Sequence, residues 1–247
     1  MDHGKASWNI YQYVALLYRI DENQKISIRP AFNTQTGGSD QFGKEKESKT
    51  SLADFHMTYS NYTLATLPGE WDLSGTFYIY WPTSESSQQK KWISRVQSWL
   101  IFDKKLDRNW SVTYNMKPDY YFHTQKSYRA ETVYPDGGRS VRSDNNMIGK
   151  LDHYVSLSRY LNKVFTPGID IGLSHEWYYG SEEANSKSAV AEYFKMAPNT
   201  WIMLSKRFKF IAGIENRIDL RDRRGEDFQL FRDKETSYYI MSFISLM

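Results

Sequence analysis

The chain has no cysteine. This rules out disulfide scaffolds, zinc ribbons and thiol catalysis, and it is compatible with any redox compartment. Long apolar runs are also missing. Stretches such as Val14-Ala15-Leu16-Leu17 and Trp201-Ile202-Met203-Leu204 fall far short of the roughly 20 residues that a transmembrane helix needs. No charge of one sign prevails. The 32 basic residues are scattered among 29 acidic ones for a net +3, which predicts no nucleic-acid footprint. There is no Walker-type or Rossmann-type glycine loop, and Gly137-Gly138 after Pro135-Asp136 reads as a turn. Sustained helical periodicity is absent. So is a visible signal peptide, and Met1 reads as an initiator on a mature sequence.

What is present is aromatic and alternating. Hydrophobic residues make up only 40% of the 247, but aromatics reach 16%, with 19 Tyr and 8 Trp. Mean hydropathy is -0.67. That balance suits a wall with one greasy face, one wet face and aromatic rims. In 110–125, Trp110, Val112, Tyr114, Met116, Tyr120 and Phe122 fall on one face, and Ser111, Thr113, Asn115, Lys117, Asp119, Tyr121 and His123 on the other. Alternation with period 2 over this length is a strand between two different solvents. The pattern recurs in 25–35, 71–81, 150–158, 165–178 and 208–221, and less cleanly in 7–20, 52–66, 92–102, 187–204 and 236–247. Pro198 marks a bulge or a strand end. Connections alternate in length. Short ones fall near 21–24, 68–70, 103–109, 161–164 and 205–207, and long polar ones near 36–50, 83–91, 126–146, 180–188 and 221–235. Transmembrane barrels pair short periplasmic turns with long outer loops in this way.

Together with this architecture, the aromatic, alternating final segment Ser237-Tyr238-Tyr239-Ile240-Met241-Ser242-Phe243-Ile244-Ser245-Leu246-Met247 gives the resemblance. The chain resembles a small bacterial outer-membrane porin over nearly its whole length, through no specific motif. Such barrels usually end in Phe or Trp, and this one ends in Met247. The resemblance implies an all-β fold: residues 1–247 as one antiparallel, up-and-down transmembrane β-barrel of about 12 strands in a Gram-negative outer membrane. It would be monomeric and without cofactor, in contact with the lipid bilayer and lipopolysaccharide. Eleven strands are visible. A missing first strand, a mis-split region at 187–221 or a parallel closure would each reconcile that number, and twelve is the expected one. In size and inward Arg and Lys residues the chain is similar to the twelve-stranded porins for acidic sugar oligomers. Their basic tracks are more one-sided, so the solute class stays open.

Alternation places charged residues on the wet face. As pore-lining candidates it gives Lys25, Arg29, Asp72, Arg95, Lys117, Asp119, Lys150, Asp152, Asp170, Glu176, Glu215 and Arg217, with Lys209 and Arg221 beside them. One reading is a conducting pore whose charges select small hydrophilic solutes. The other is a lumen zipped shut by salt bridges, leaving a structural or partner-binding barrel. Aromatics at strand ends, Trp8, Trp71, Trp81, Trp92, Trp110, Tyr160, Trp177 and Trp201, read as membrane-interface girdles, with a carbohydrate platform as the rival. The basic segments 139–143 and 221–224 suit lipopolysaccharide phosphates or anionic solutes, or are simply solvated, and the charge-mixed loop 40–49 reads as mobile. A barrel-embedded hydrolase is the remaining alternative. His123 and Asp119 at i and i+4 share a strand face, and His153 and His175 suit neighbouring strands. Neither pair completes a catalytic or metal-binding set, so no enzyme and no metal is expected.

Overall fold

The computed structural model of the protein describes residues 9–39, 45–46, 48–133, 139–180, 189–205, 207–220 and 236–244. The alternating segments are strands. The first are β1 (Asn9–Tyr13), β2 (Leu16–Arg19), β3 (Gln24–Arg29), β4 (Ala31–Gln35), the short β5 (Gly38–Ser39) and β6 (Glu45–Lys46), β7 (Lys49–Leu52), β8 (Phe55–Leu67) and β9 (Trp71–Trp81). A short helix, α1 (Glu85–Gln89), precedes β10 (Trp92–Lys105) and β11 (Trp110–His123). The hairpin β12 (Ser127–Val133) and β13 (Arg139–Asn145) leads to β14 (Met147–Arg159), β15 (Phe165–Tyr178), β16 (Ala189–Met203), β17 (Phe208–Asp219) and β18 (Thr236–Ile244). Among the described residues no helix is long and apolar enough to cross a membrane.

Eleven strands form one antiparallel sheet in the order β18-β17-β16-β15-β14-β11-β10-β9-β8-β3-β2. The small sheet β1-β4-β7 prolongs its first three strands past local breaks. Val14 N–H donates to the Pro30 carbonyl at 3.2 Å, and Ala53 N–H to the Ala31 carbonyl at 2.9 Å, so pairing resumes beyond each break. The eleven alternating segments visible in the sequence therefore correspond to the eleven strands of the large sheet, and the region 187–221 divides into two. Three details differ from the sequence reading. The expected loop 126–146 carries a paired hairpin, and 83–91 carries a helix. Pro198 sits inside β16, opposite Ile169, with the register unbroken. The loss of one donor there is tolerated because the ladder continues on either side of Pro198 and fixes the register.

Among the described residues no pairing joins β18 to β2 or β1. With every neighbour antiparallel, the two edge strands of this eleven-strand series run in the same direction.

The two faces of the sheet invert the soluble pattern. Large apolar side chains lie outermost: Tyr238 is 75% exposed, Ile240 70% and Leu16 67%. Small polar ones are buried on the opposite face, with Ser27 and Thr58 at 1% and Ser174 at 0%. The buried hydrophobic set is only Ala31, Ala53, Tyr121, Ala197, Ile211 and Ile218. A water-soluble domain of this size would bury its Ile, Val, Leu and Phe.

The short turns share one device. Asp21 Oδ1 accepts from the N–H groups of Asn23 and Gln24, both at 2.7 Å. Asp107 does the same for Asn109 and Trp110, Asn162 for Val164 and Phe165, and Ser205 for Arg207 and Phe208. A side-chain oxygen that closes on its own backbone two and three residues ahead makes a compact turn. The turn between β8 and β9 works differently: three residues separate the paired Leu67 and Trp71, and two of them, Gly69 at φ 79 and Glu70 at φ 62, have positive φ.

β14 and β15 come close together at Gly172, where an added Cβ would sit 2.1 Å from the His153 carbonyl oxygen and 2.3 Å from Tyr154 Cβ. The backbone there has nowhere to go. Gly172→Ala is expected to destabilise the protein by about 1–3 kcal/mol, the usual cost of forcing atoms into a packed site. Urea unfolding, read by tryptophan fluorescence, should show a lowered midpoint, and an unchanged midpoint would contradict the packing argument.

The polar face as candidate functional site

Paired residues in adjacent strands point to the same side, so the register assigns every side chain to a face. One line of opposed residues runs Arg29, His56, Tyr80, Arg95, Tyr121 across β3, β8, β9, β10 and β11. A second runs Lys117, Asp152, Ser174, Tyr193, Asp219 across β11, β14, β15, β16 and β17. All twelve charged candidates, Lys25, Arg29, Asp72, Arg95, Lys117, Asp119, Lys150, Asp152, Asp170, Glu176, Glu215 and Arg217, share this polar face.

Their chemistry is mostly pairwise. Arg95 forks onto Asp119, Nε to Oδ1 at 2.9 Å and Nη2 to Oδ2 at 3.0 Å, and Gln97 Nε2 donates to the same carboxylate at 3.1 Å. The Arg95 guanidinium also lies 4.5 Å from the Tyr80 ring centre and 5.2 Å from that of Tyr121. Asp152 takes Lys150 at 3.0 Å and Lys195 at 3.2 Å. Glu176 takes Arg217 at 2.7 Å and Lys150 at 3.7 Å, and it accepts from the Tyr178 hydroxyl at 2.7 Å. Arg217 lies 3.6 Å above the Tyr193 ring. Asp170 accepts from Asn199 Nδ2 at 3.1 Å, and Asp72 from the Thr66 hydroxyl at 3.2 Å. Arg29 donates to Ser27 Oγ at 2.9 Å and lies 5.1 Å over Tyr13, while Lys25 lies 4.8 Å over Tyr62. Glu215 stands opposite Ser237.

Lys195 and the rings of Tyr80, Trp99, Tyr121, Tyr154 and Tyr193 belong to this site, although the sequence reading did not count them. Parity was the available signal, since Tyr121 stands two residues from Asp119 and Tyr154 two from Asp152. These rings are the surface on which the cations rest.

The girdle candidates divide between the two faces. Trp71 and Trp110 lie on the apolar face at the short-turn end, with Lys104 at 6.0 Å and Arg159 at 5.4 Å from their rings. Trp81 beside Phe55 and Trp177 beside His175 lie on the same face at the long-loop end. Tyr160 sits in the short turn after β14, its N–H bonded to the Asn109 carbonyl at 2.7 Å. Trp92 and Trp201 lie instead on the polar face. The register shifts between Trp92 and Ser94, which turns Trp92 toward Tyr121 at 4.9 Å. Trp201 keeps step with Lys195, Ala197 and Asn199 and stacks on Phe243 at 5.9 Å. Trp8, the segment 221–224 and most of the loop 40–49 lie outside the described residues. In the segment 139–143, which is part of β13, Arg142 pairs in solvent with Asp144 at 3.2 Å.

At the long-loop end the backbone is tied together. Asn146, 1% exposed, donates from Nδ2 to the Lys90 and Gln125 carbonyls, both at 2.9 Å, and Gln89 donates to the Arg129 carbonyl at 3.0 Å. Asp54 accepts from the Ser84 N–H at 2.9 Å and from the Ser87 hydroxyl, which anchors α1. His123 and Asp119 are not joined: His123 Nε2 faces the Met147 carbonyl at 2.8 Å, while Asp119 is held by Arg95 and Gln97. His153 and His175 do stack on adjacent strands, 5.6 Å apart, but on the apolar face. Among the described residues no group of three or more potential ligands could hold a metal ion. No protein-family model matches the chain, and no curated protein matches it.

Asp119 is 2% exposed in its side chain and Arg95 22%. Removing one partner of such a pair leaves a charge buried without compensation, a loss of about 3–5 kcal/mol. Arg95→Ala and Asp119→Ala should each lower the unfolding midpoint sharply, while the double variant should lose much less than the sum of the two. Additive losses in that double-mutant cycle would show that the two side chains are not coupled.

Proposed function

We propose that this chain forms the wall of a bacterial outer-membrane β-barrel and acts, as a monomer, as a porin-like channel for small hydrophilic or charged solutes. The observation that carries this reading is the inversion of burial, with serine, threonine and ion pairs sheltered and leucine, isoleucine and aromatics exposed. A face of that kind is stable against lipid, and the opposite one against water held inside a ring. The longest strands run 13–15 residues in β8, β10, β11, β14, β15 and β16. A tilted membrane strand needs about 9–11. Short capped turns at one end and long connections at the other fit a periplasmic and an outer side. Trp71, Trp81, Trp110 and Trp177 at the strand ends suit the two interfaces, and the basic stretch in β13 suits lipopolysaccharide phosphates.

We take twelve as the number of strands in the closed ring. The two edge strands run in the same direction, so one strand between them restores antiparallel pairing on both sides. A second reading, a closed barrel that does not conduct, is favoured by the ion pairs and rings that crowd the polar face.

Insertion of the purified protein into planar bilayers separates the two. Conductance steps of reproducible size are expected, together with swelling of proteoliposomes in small sugars. Insertion proven by protease protection but carrying no current would refute the channel and leave the non-conducting barrel.

A further inference from the structure

A band of aromatic rings crosses the polar face near its long-loop end. Tyr11 and Tyr13 of β1 begin it, their ring centres 6.0 Å apart. His56 of β8 lies 6.5 Å from Tyr13, and Tyr80 of β9 lies 4.9 Å from His56. Tyr78 stacks on Tyr80 at 5.9 Å. The Arg95 guanidinium, 4.5 Å from the Tyr80 ring and 5.2 Å from that of Tyr121, carries the band on to β11. The row beside it is polar, with Ser27, Thr58, Gln97 and Asp119 in register on either side of Tyr78. The Tyr80 hydroxyl donates to Gln97 Oε1 at 3.0 Å. His56 and Tyr121 are buried, whereas Tyr11 is 52% exposed and Tyr13 41%. On the apolar face such exposure suits lipid. On the polar face it leaves two rings open to water, where apolar surface is unfavourable until something covers it.

We infer that this band is a saccharide-binding track. A pyranose ring has a flat face of C–H groups and a rim of hydroxyls. Tyrosine offers a flat apolar face to the first and a hydroxyl to the second. A band in which rings stand among hydroxyl, amide and guanidinium groups meets both needs across several strands. Arg95 is held by Asp119, and the rest of the band, Arg29 apart, consists of rings, hydroxyls and an amide. The fit is therefore to a neutral oligosaccharide rather than an acidic one. Tyr11 and Tyr13 receive the first sugar unit, and Tyr78 and Tyr80 the next. Passage of the sugar along the wall rests on the channel reading, and the binding does not.

Two measurements test it. The first is calorimetric titration of maltohexaose into the folded protein in an amine-oxide detergent, which carries no sugar of its own. The wild type should bind. Tyr11→Ala combined with Tyr13→Ala should weaken binding roughly tenfold, the scale of ring-stacking contacts. Tyr11→Phe combined with Tyr13→Phe should retain most of it, and Tyr238→Ala, on the apolar face, should leave it unchanged. Far-ultraviolet circular dichroism confirms that the variants are folded. A hexamer of galacturonate should bind more weakly than maltohexaose. The second measurement is the current across a planar bilayer, which maltohexaose should interrupt in the wild type and not in the double alanine variant. If no current is seen but the sugar binds through Tyr11 and Tyr13, the track stands and the channel reading fails. If current is seen but maltohexaose neither binds nor interrupts it, the track is wrong and the channel reading survives. Binding that persists without both rings, or that favours the galacturonate hexamer, overturns the inference, as does absence of binding in the wild type.

Discussion

Everything distinctive in this protein depends on strand register. The side-chain period is two, so a slip of one residue between neighbouring strands would carry a whole row to the wrong face. Lys117, Asp152, Ser174 and Tyr193 would then point among Val155, Ile171 and Trp177. The protein fixes register by means that do not rely on an apolar core. Asp21, Asp107, Asn162 and Ser205 set the length of four turns, and Gly69 with Glu70 sets a fifth. Cross-strand ion pairs then lock the polar face, each correct only in one alignment.

Those ion pairs do more for uniqueness than for raw stability. Moving charges out of water is costly, and good geometry mainly recovers the loss. The Arg95–Asp119 fork is well made, with two parallel bonds, a third from Gln97 and two rings above the guanidinium. The ladder Lys195–Asp152–Lys150–Glu176–Arg217 crosses β14 to β17 in the same manner. Together they give the polar face a fixed pattern, and the aromatic rings between them limit how far any cation can swing.

Much of this was legible in the chain itself. The strands of 71–81 and 110–125 could be read residue by residue because apolar and polar positions alternate without interruption. The charged members of the site followed from parity alone. What escaped had physical causes. In 187–204 the small residues Ala191 and Ala197 blur the alternation, so Lys195 was missed and Trp201, expected in the girdle, falls on the polar face. The register shift at Trp92 is invisible in a pattern that assumes strict alternation. The hairpin β12–β13 hides in a stretch whose sequence, SYRAETV and RSVRSDN, shows no alternation of apolar and polar residues.

The sheet is a meander in which each strand lies against its neighbours in the chain, the departures being the self-contained hairpins β5–β6 and β12–β13. That has a kinetic consequence. No pairing in the described sheet waits for a distant segment to arrive, so the cost of loop closure stays small at every step. Hairpins can form in the order the chain presents them, each templating the next. An error in one alignment can be corrected locally, before the wall has grown past it.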